Sequence, residues 1–451
     1  MNLRDSIDQR PMSAYQWLVV GLCGLLNALD GYDVLSMAFT GSAVSREFGL
    51  MGSQLGVLLS AGLVGMAVGS LVIGPLADRF GRRPLLLISL VINGLGMGLS
   101  STVSSHWELG LWRVVTGIGV GGILACTAVI VSEYANNARR GISISIFTAG
   151  YGVGATLGGL GAAQLIPTFG WRSVFLVGAI CTVVVIALVW ALLPESVDYL
   201  ATRRNPRADE LAAKVARKLG ISQGIELPSL APQDRSAPGA DGAEPSEQPH
   251  PAGVLSSKYL VQSLLLWASW FIVMFGFYFA NTWTPALLVE SGMTQQQGIV
   301  GGIMLTLGGT FGALLYGALT TRWSEKSVLM VFIILQSITL VLFITTTSVP
   351  AVAFTSGILV GMLVNGCIAG MYTLSPMTYE PALRATGVGW GIGVGRFGAI
   401  LAPLTVGFLL DGGWSPVFLY VAVAVVVLLA AVALSRLQVV RRQGVETADS
   451  H

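Results

Sequence analysis

Four charged residues stand inside runs that otherwise read as lipid-embedded helix: Asp30 and Asp33 in LLNALDGYDVLSMAF, Arg113 in LGLWRVVTGIGVGG and Arg396 in WGIGVGRFGAILAP. An ionised side chain at mid-membrane costs at least about 2.5 to 3.5 kcal/mol, so such residues are expected to line a water-filled path or a site. Asp30 and Asp33 lie three residues apart on one helix face. In a cavity of low dielectric two like charges resist being ionised together, which suits one of them to binding and releasing a proton. Arg113 and Arg396 offer guanidinium groups, which grip an organic carboxylate bidentately.

These residues need helices to carry them through a bilayer, and the composition supplies them. Of 451 residues, 53% are hydrophobic and 11% charged, against roughly 25% charged in soluble domains. The mean hydropathy is +0.73. Apolar runs long enough to span occur at about 17–40, 53–76, 84–104, 107–131, 141–165 and 171–193, and again at about 259–289, 297–320, 327–347, 350–374, 386–410 and 414–435. The expectation is an all-α integral membrane protein with twelve transmembrane helices in two six-helix bundles. Residues 1–194 form the first bundle, 195–257 a central loop, and 258–451 the second bundle and a tail. In the central loop RRNPRADELAAKVARKLG reads as an amphipathic helix, and SAPGADGAEPSEQPHPAG as a flexible linker. Lys and Arg gather on one side of this arrangement, with only Arg46 and Arg172 on the other, so both termini and the central loop are expected in the cytoplasm. The polar N-terminus lacks a signal-peptide cleavage pattern. A formal net charge of +2 gives no footprint for nucleic acid. Cys23, Cys126, Cys181 and Cys367 fall in apolar runs without metal or redox spacing.

The two halves match each other. GSLVIGPLADRF from Gly69 aligns with GALLYGALTTRW from Gly312, and GWRSVFLVGA from Gly170 with GWSPVFLYVA from Gly413, both at an offset of 243 residues. Parallel six-helix repeats about a membrane-normal pseudo-twofold axis describe transporters that alternate access by rocking one half against the other.

GPLADRFGRRPLLL, Gly74 to Leu87, resembles the signature loop of the major facilitator superfamily. That resemblance implies a gating role for Gly74, Asp78, Arg79, Gly81, Arg82 and Arg83. Physically, Gly74 would allow close helix approach, Asp78 would cap or pair with a base, and Gly81 would permit the tight turn. The second copy has Thr321 in place of Asp78. RVVTGIG at Arg113 resembles the fourth-helix motif in which the arginine is linked to proton coupling. GYGVGATLGG resembles the fifth-helix motif of drug/proton antiporters, with Ala155 where they carry proline. GVGRFG at Gly393 matches a dinucleotide fingerprint only in letters, because it lies inside an apolar span.

DGYD in the first helix, Arg113, Glu133 in VSEYANNARRG, and Arg384 and Arg396 in YEPALRATGVGWGIGVGRFGAI together resemble the aromatic acid:proton symporter family, across both halves except the linker. The resemblance implicates the paired aspartates, the fourth-helix arginine and the late arginines in transport. Arg172 stands where some members place histidine. Glu133 is twenty residues from Arg113, about 30 Å along a helix, so the two cannot pair. Its candidate partners are Arg139, Arg140 and the signature loop, and a capping or loop salt bridge stands even with direct proton handling. For Asp30 and Asp33 the alternative is a structural polar cluster filling a helix interruption at Gly31.

The expected function is proton-coupled import of a small aromatic carboxylate, of benzoate or hydroxybenzoate type, across a bacterial inner membrane by alternating access. Asp30, Asp33 and Arg113 would couple the proton. Arg396, Arg113, Asp33, Tyr151, Trp390 and Tyr372 would meet the substrate, and Glu133 and Arg384 would join the signature loop in gating. No cofactor beyond the proton is expected, the bilayer and the substrate are the partners, and a monomer is the working unit. The alternatives are a proton antiporter exporting an amphiphile and a non-transporting chemoreceptor. An enzyme is not expected, since no hydrolase, kinase or metal motif occurs and His106, His250 and His451 lie scattered.

Overall fold

A computed structural model describes residues 7, 8, 10–202, 206–219 and 251–438. In chain order the helices are α1 Ala14–Phe48, α2 Gly52–Phe80, α3 Arg82–Ser100, α4 His106–Tyr134, α5 Arg140–Phe169, α6 Arg172–Leu192, α7 Val197–Thr202, α8 Pro206–Lys218, α9 Leu260–Glu290, α10 Gln295–Leu319, α11 Glu325–Thr345, α12 Pro350–Leu374, α13 Pro381–Asp411 and α14 Pro416–Arg436. Short 3-10 turns lie at Pro251–Leu255 and Ser375–Thr378. Twelve of the described helices are long and apolar enough to cross a membrane, and no strand occurs among the described residues.

Local chemistry sets where the helices begin and end. Ser13 caps α1 in a reciprocal box with Gln16, and Ser105, Ser324 and Ser415 accept the first free amides of α4, α11 and α14. α1 runs eight residues beyond the expected 40, because nothing in GSAVSREF breaks a helix until Gly49 turns left-handed at φ 62°. Each repeat opens its sixth span with a left-handed glycine, Gly170 at φ 77° and Gly413 at φ 83°.

Two compact units emerge: Met1–Gly242 with Thr294–Ile303, and Ala243–Met293 with Met304–His451. Within the first, α2 and α4 touch backbone to backbone. A methyl group on Gly65 or Gly69 would lie 2.1 Å from the carbonyl of Val114 or Ile118. The repeat does the same in α10 and α12, where Gly308 and Gly312 face the carbonyls of Ile358 and Met362. The aligned glycines therefore keep a small-residue crossing in both halves.

α8 is the amphipathic helix expected of the central loop. Val215, Ala216 and Leu219 are buried in a cluster with Val19, Leu193, Val197 and Leu200, while Lys218 lies 5.0 Å over the Tyr15 ring. Of the flexible linker expected at SAPGADGAEPSEQPHPAG, residues 236–250 lie outside the described residues, and the last three, Pro251 to Gly253, are not loose chain but open the 3-10 turn Pro251–Leu255.

Candidate functional site

α1 is continuous through Gly31, so the polar residues of DGYD do not fill a helix interruption. Gly31 is there for packing: a methyl group on it would meet the Tyr151 carbonyl of α5 at 2.1 Å, and Gly150 and Gly154 approach Gly24 and Ala28 equally closely. Tyr32 fixes the rotation of α1. Its hydroxyl donates to the Val174 carbonyl at 2.6 Å, and methyl groups on Gly158 or Gly178 would each collide with its ring at 2.8 Å.

So oriented, α1 delivers Asp33 to Arg113 of α4. Arg113 Nη1 lies 2.8 Å from Asp33 Oδ1, and Nη2 donates to the Asp33 carbonyl at 3.0 Å. Met97 Sδ is 3.6 Å from Nη1, and the Phe175 ring centroid is 5.6 Å from the guanidinium carbon. Both charged side chains are 3% exposed. This guanidinium is turned to Asp33 and is not open to a ligand in the conformation observed. Asp30, one turn earlier, is also buried, at 4% exposure. Such a pair returns little net stability, because desolvation offsets attraction, but removal of either partner costs about 3–5 kcal/mol.

At the other end of α4, Glu133 pairs with Arg82 of the signature loop, one of the partners open to it in the sequence. Its second oxygen accepts from Ser196 Oγ at 2.7 Å and the Val197 amide at 2.9 Å. Asp78 meets the same arginine at 3.2 Å, and Arg83 donates to the Trp190 carbonyl. Arg79 lies over the Phe80 ring. Glu195, not singled out in the sequence, completes this cluster: Oε1 accepts the amides of Arg82, Arg83 and Ser196 at 2.9, 3.0 and 3.0 Å. A carboxylate there complements the N-terminus of α3. It also explains Gly81, whose φ is 104° and whose absent methyl group would stand 2.8 Å from Glu195 Oε2. The one signal for Glu195 was an acid directly behind an apolar span, in ALLPESVD. Gly74 does not carry the close approach expected of it. A methyl group there would meet only Ala125 Cβ, at an ordinary 3.8 Å, and the tight crossing falls to Gly65 and Gly69 instead.

In the second unit α13 carries both Trp390 and Arg396 and packs against the aromatic-rich α9. α9 and α13 pack through Gly391 and Gly395 against Trp270 and through Gly398 against the Phe271 carbonyl. Trp270 is fully buried and its indole N–H donates to Ser375 Oγ at 2.8 Å. It stands edge-on to Tyr372, 4.9 Å between centroids. Tyr372 is 48% exposed. Trp390, 52% exposed, stacks on Trp267 at 5.7 Å. Arg396, Tyr372 and Trp390 thus share a unit. Tyr151 belongs to the first unit, against Gly31, and Arg384 is exposed on the first turn of α13. Trp270 and Ser375, which hold this arrangement, had no signal that set them apart from other residues in an aromatic-rich run. Among the described residues no group of three or more His, Cys, Asp or Glu side chains is placed to hold a metal ion.

Comparison with known proteins agrees with this architecture. The sequence profile of the Major Facilitator Superfamily matches residues 20–315 and 295–449. The chain belongs to that superfamily. Major facilitator relatives include a gallate transporter of Pseudomonas putida, 32% identical over 96% of this chain and 94% of its own length. The 4-hydroxybenzoate transporter PcaK of Acinetobacter baylyi is 31% identical, over 91% of this chain and 88% of its own. The benzoate transport protein of the same organism is 26% identical over 91% and 87%. Among solved structures, the xylose transporter XylE of E. coli in a partially occluded inward-open conformation superposes with a TM-score of 0.68 at 18% identity, covering 93% of this chain and 98% of that one. Family and relatives are transporters, and the chain is a multi-pass membrane protein and not an enzyme.

Proposed function

We propose that the protein imports a small aromatic carboxylate, of benzoate or hydroxybenzoate type, together with protons, by alternating access in a bacterial inner membrane. The observation that carries the coupling is the buried Asp33–Arg113 pair. A proton arriving on Asp33 neutralises the acid and releases the guanidinium, which changes what α1 and α4 hold in common. The substrate class rests on similarity to transporters of gallate, 4-hydroxybenzoate and benzoate, and on the presence in the second unit of Arg396 together with the Trp267–Trp390 and Trp270–Tyr372 ring pairs. There Arg396 grips the carboxylate, with Tyr372 and Trp390 offering ring faces and edges. Asp30 stands one helical turn from Asp33 as a second proton site. One proton per monoanion makes import electroneutral, and a second lets the membrane potential drive it.

The excess of Lys and Arg supports a cytoplasmic location for the termini, α8 and the signature loop. The cluster of Arg82, Glu133 and Glu195 then braces the inner face of the first unit, with Arg384 on the inner face of the second. A monomer suffices for this scheme.

The test is uptake of radiolabelled benzoate and 4-hydroxybenzoate into proteoliposomes with an imposed inside-alkaline gradient. Accumulation by the unmodified protein, lost in Asp30→Asn and in Arg396→Ala, is expected. If neither acid accumulates and neither moves protons, the assignment is wrong. Proton movement opposite to substrate would select the antiporter reading.

A further inference from the structure

Arg172 of the GWRS turn has no task in this scheme, yet it heads a run of contacts that ends on Asp33. At the C-terminal end of α1, Glu47 Oε1 lies 2.7 Å from Arg172 Nη1, and Glu47 Oε2 accepts the Trp171 indole N–H at 2.6 Å. Arg172 also donates to the Val103 carbonyl at 2.9 Å and lies 4.4 Å over the Trp171 ring. Trp171, 4% exposed, is therefore held from two sides, by Glu47 and by Arg172. Its ring meets Phe175 edge-on, at 5.8 Å and 87°. Phe175 is fully buried and presents its ring to Arg113 at 5.6 Å, inside the range of a cation–π contact.

The second repeat supplies an internal comparison. It keeps the letters VFL at the aligned place but has Ser415 for Arg172 and Ser356 for Arg113. Its helix α14 starts behind Ser415, at Pro416, and the aligned Phe418 is 67% exposed. The phenylalanine is turned inward in the half that has an arginine to receive it.

We infer that Phe175 is a positioning residue for Arg113, held by Trp171 and the Glu47–Arg172 clasp, and that its ring compensates the guanidinium when Asp33 becomes protonated. The inference rests on the proton-coupled reading above. Arg113 cannot shed its own charge. With Asp33 neutral, the contacts left to it are the Asp33 carbonyl, Met97 sulfur and the Phe175 ring. The titratable group paired with Asp33 is Arg113 from α4, its titratable neighbours on α1 are Asp30 and Tyr32, and α5 brings Tyr151 against Gly31 while α6 presents Phe175 to the arginine. α2 and α3 face the pair with Gly62 and Met97, which do not titrate.

Loss of the ring penalises the protonated state of Asp33 more than the ionised state, in which Arg113 keeps its counter-ion. The pH of half-maximal uptake therefore moves to the acid side in Phe175→Leu, by up to about 1.5 pH units, the full size of a desolvated cation–π contact. The experiment measures uptake of 4-hydroxybenzoate by the full chain in proteoliposomes, with external pH stepped from about 5 to about 8. Phe175→Tyr, which keeps the ring, restores the midpoint of the unmodified protein. Glu47→Gln, which breaks the clasp, shifts it in the same direction as Phe175→Leu but less. A Phe175→Leu protein that melts like the unmodified one and whose uptake curve overlays it overturns the inference. Should that variant not fold, Phe175→Met keeps the volume without the ring, and an unshifted curve there overturns it equally. If the unmodified protein takes up the probe without proton movement at any pH, the coupled reading itself fails, which is a different result from an unshifted variant.

Discussion

Asp33→Asn removes one charge from a pair whose side chains are each 3% exposed. The remaining guanidinium cannot deprotonate, and an uncompensated charge left by breaking a buried pair costs about 3–5 kcal/mol. Arg113 still has the Asp33 carbonyl at 3.0 Å and the Phe175 face, which places the loss at the lower end, about 3 kcal/mol. Arg113→Gln strands the carboxylate instead and is expected to lose a similar amount. The double variant has no stranded charge and should be more stable than either single, with a coupling energy of about 2 kcal/mol or more. Reversible unfolding of the purified protein in mixed micelles, carried out on all four members of the cycle, reads these differences. Losses that simply add would refute the reasoning, since they would mean that the two groups do not depend on each other in the folded protein.

Gly31→Ala should destabilise by about 1–3 kcal/mol, because its methyl group meets the Tyr151 carbonyl at 2.1 Å and forces α1 off α5. Gly74→Ala, with its nearest neighbour at 3.8 Å, should leave the melting temperature unchanged although it alters the signature loop. Lys258 and Glu380 lie outside the spans, 2.6 Å apart. The Lys258 hydrogen bond holds the Glu380 carboxyl below its usual range, and Glu380 in turn raises Lys258. The glutamate's contribution is complete above its unfolded value of about 4.3 and is lost as pH falls through the lowered folded value. The lysine's contribution is complete below about 10.4 and is lost as pH rises through the raised one. Melting temperature followed against pH should therefore fall less steeply below about pH 4.3 in Glu380→Gln than in the unmodified protein.

Most of the fold was legible because its determinants are local and repetitive. Apolar run length sets the twelve spans, and the 243-residue offset that relates Gly69 to Gly312 reappears as the same backbone crossing in both halves. Candidate site residues stood out where they were expensive: Asp33, Arg113 and Arg396 are conspicuous because lipid penalises them. What they bond to was not legible. The pairing of Asp33 with Arg113 depends on the rotation of α1, set by Tyr32 and the glycines of α5 and α6, and no spacing in the sequence encodes that. Glu195 was missed because one acid at the end of a span is ordinary, and only the fold brings it to the amides of Arg82 and Arg83. Gly74 was misread for the converse reason, since a glycine in a motif reveals nothing about how near its neighbour stands.

The 80 residues between Asp33 and Arg113 also have a consequence for synthesis. α1 leaves the ribosome carrying two carboxylates while the arginine of α4 is not yet made. At about 5–20 residues per second the wait lasts about 4 to 16 s. During that interval each ionised acid is costly in hydrocarbon, so the helix is best kept beside the insertion machinery or with its acids protonated. Release into lipid becomes favourable once the fourth helix arrives. A substitution of Arg113 would then lower the amount of protein that reaches the membrane before it affected any transport event, and the yield of inserted chains would report on the ion pair independently of uptake.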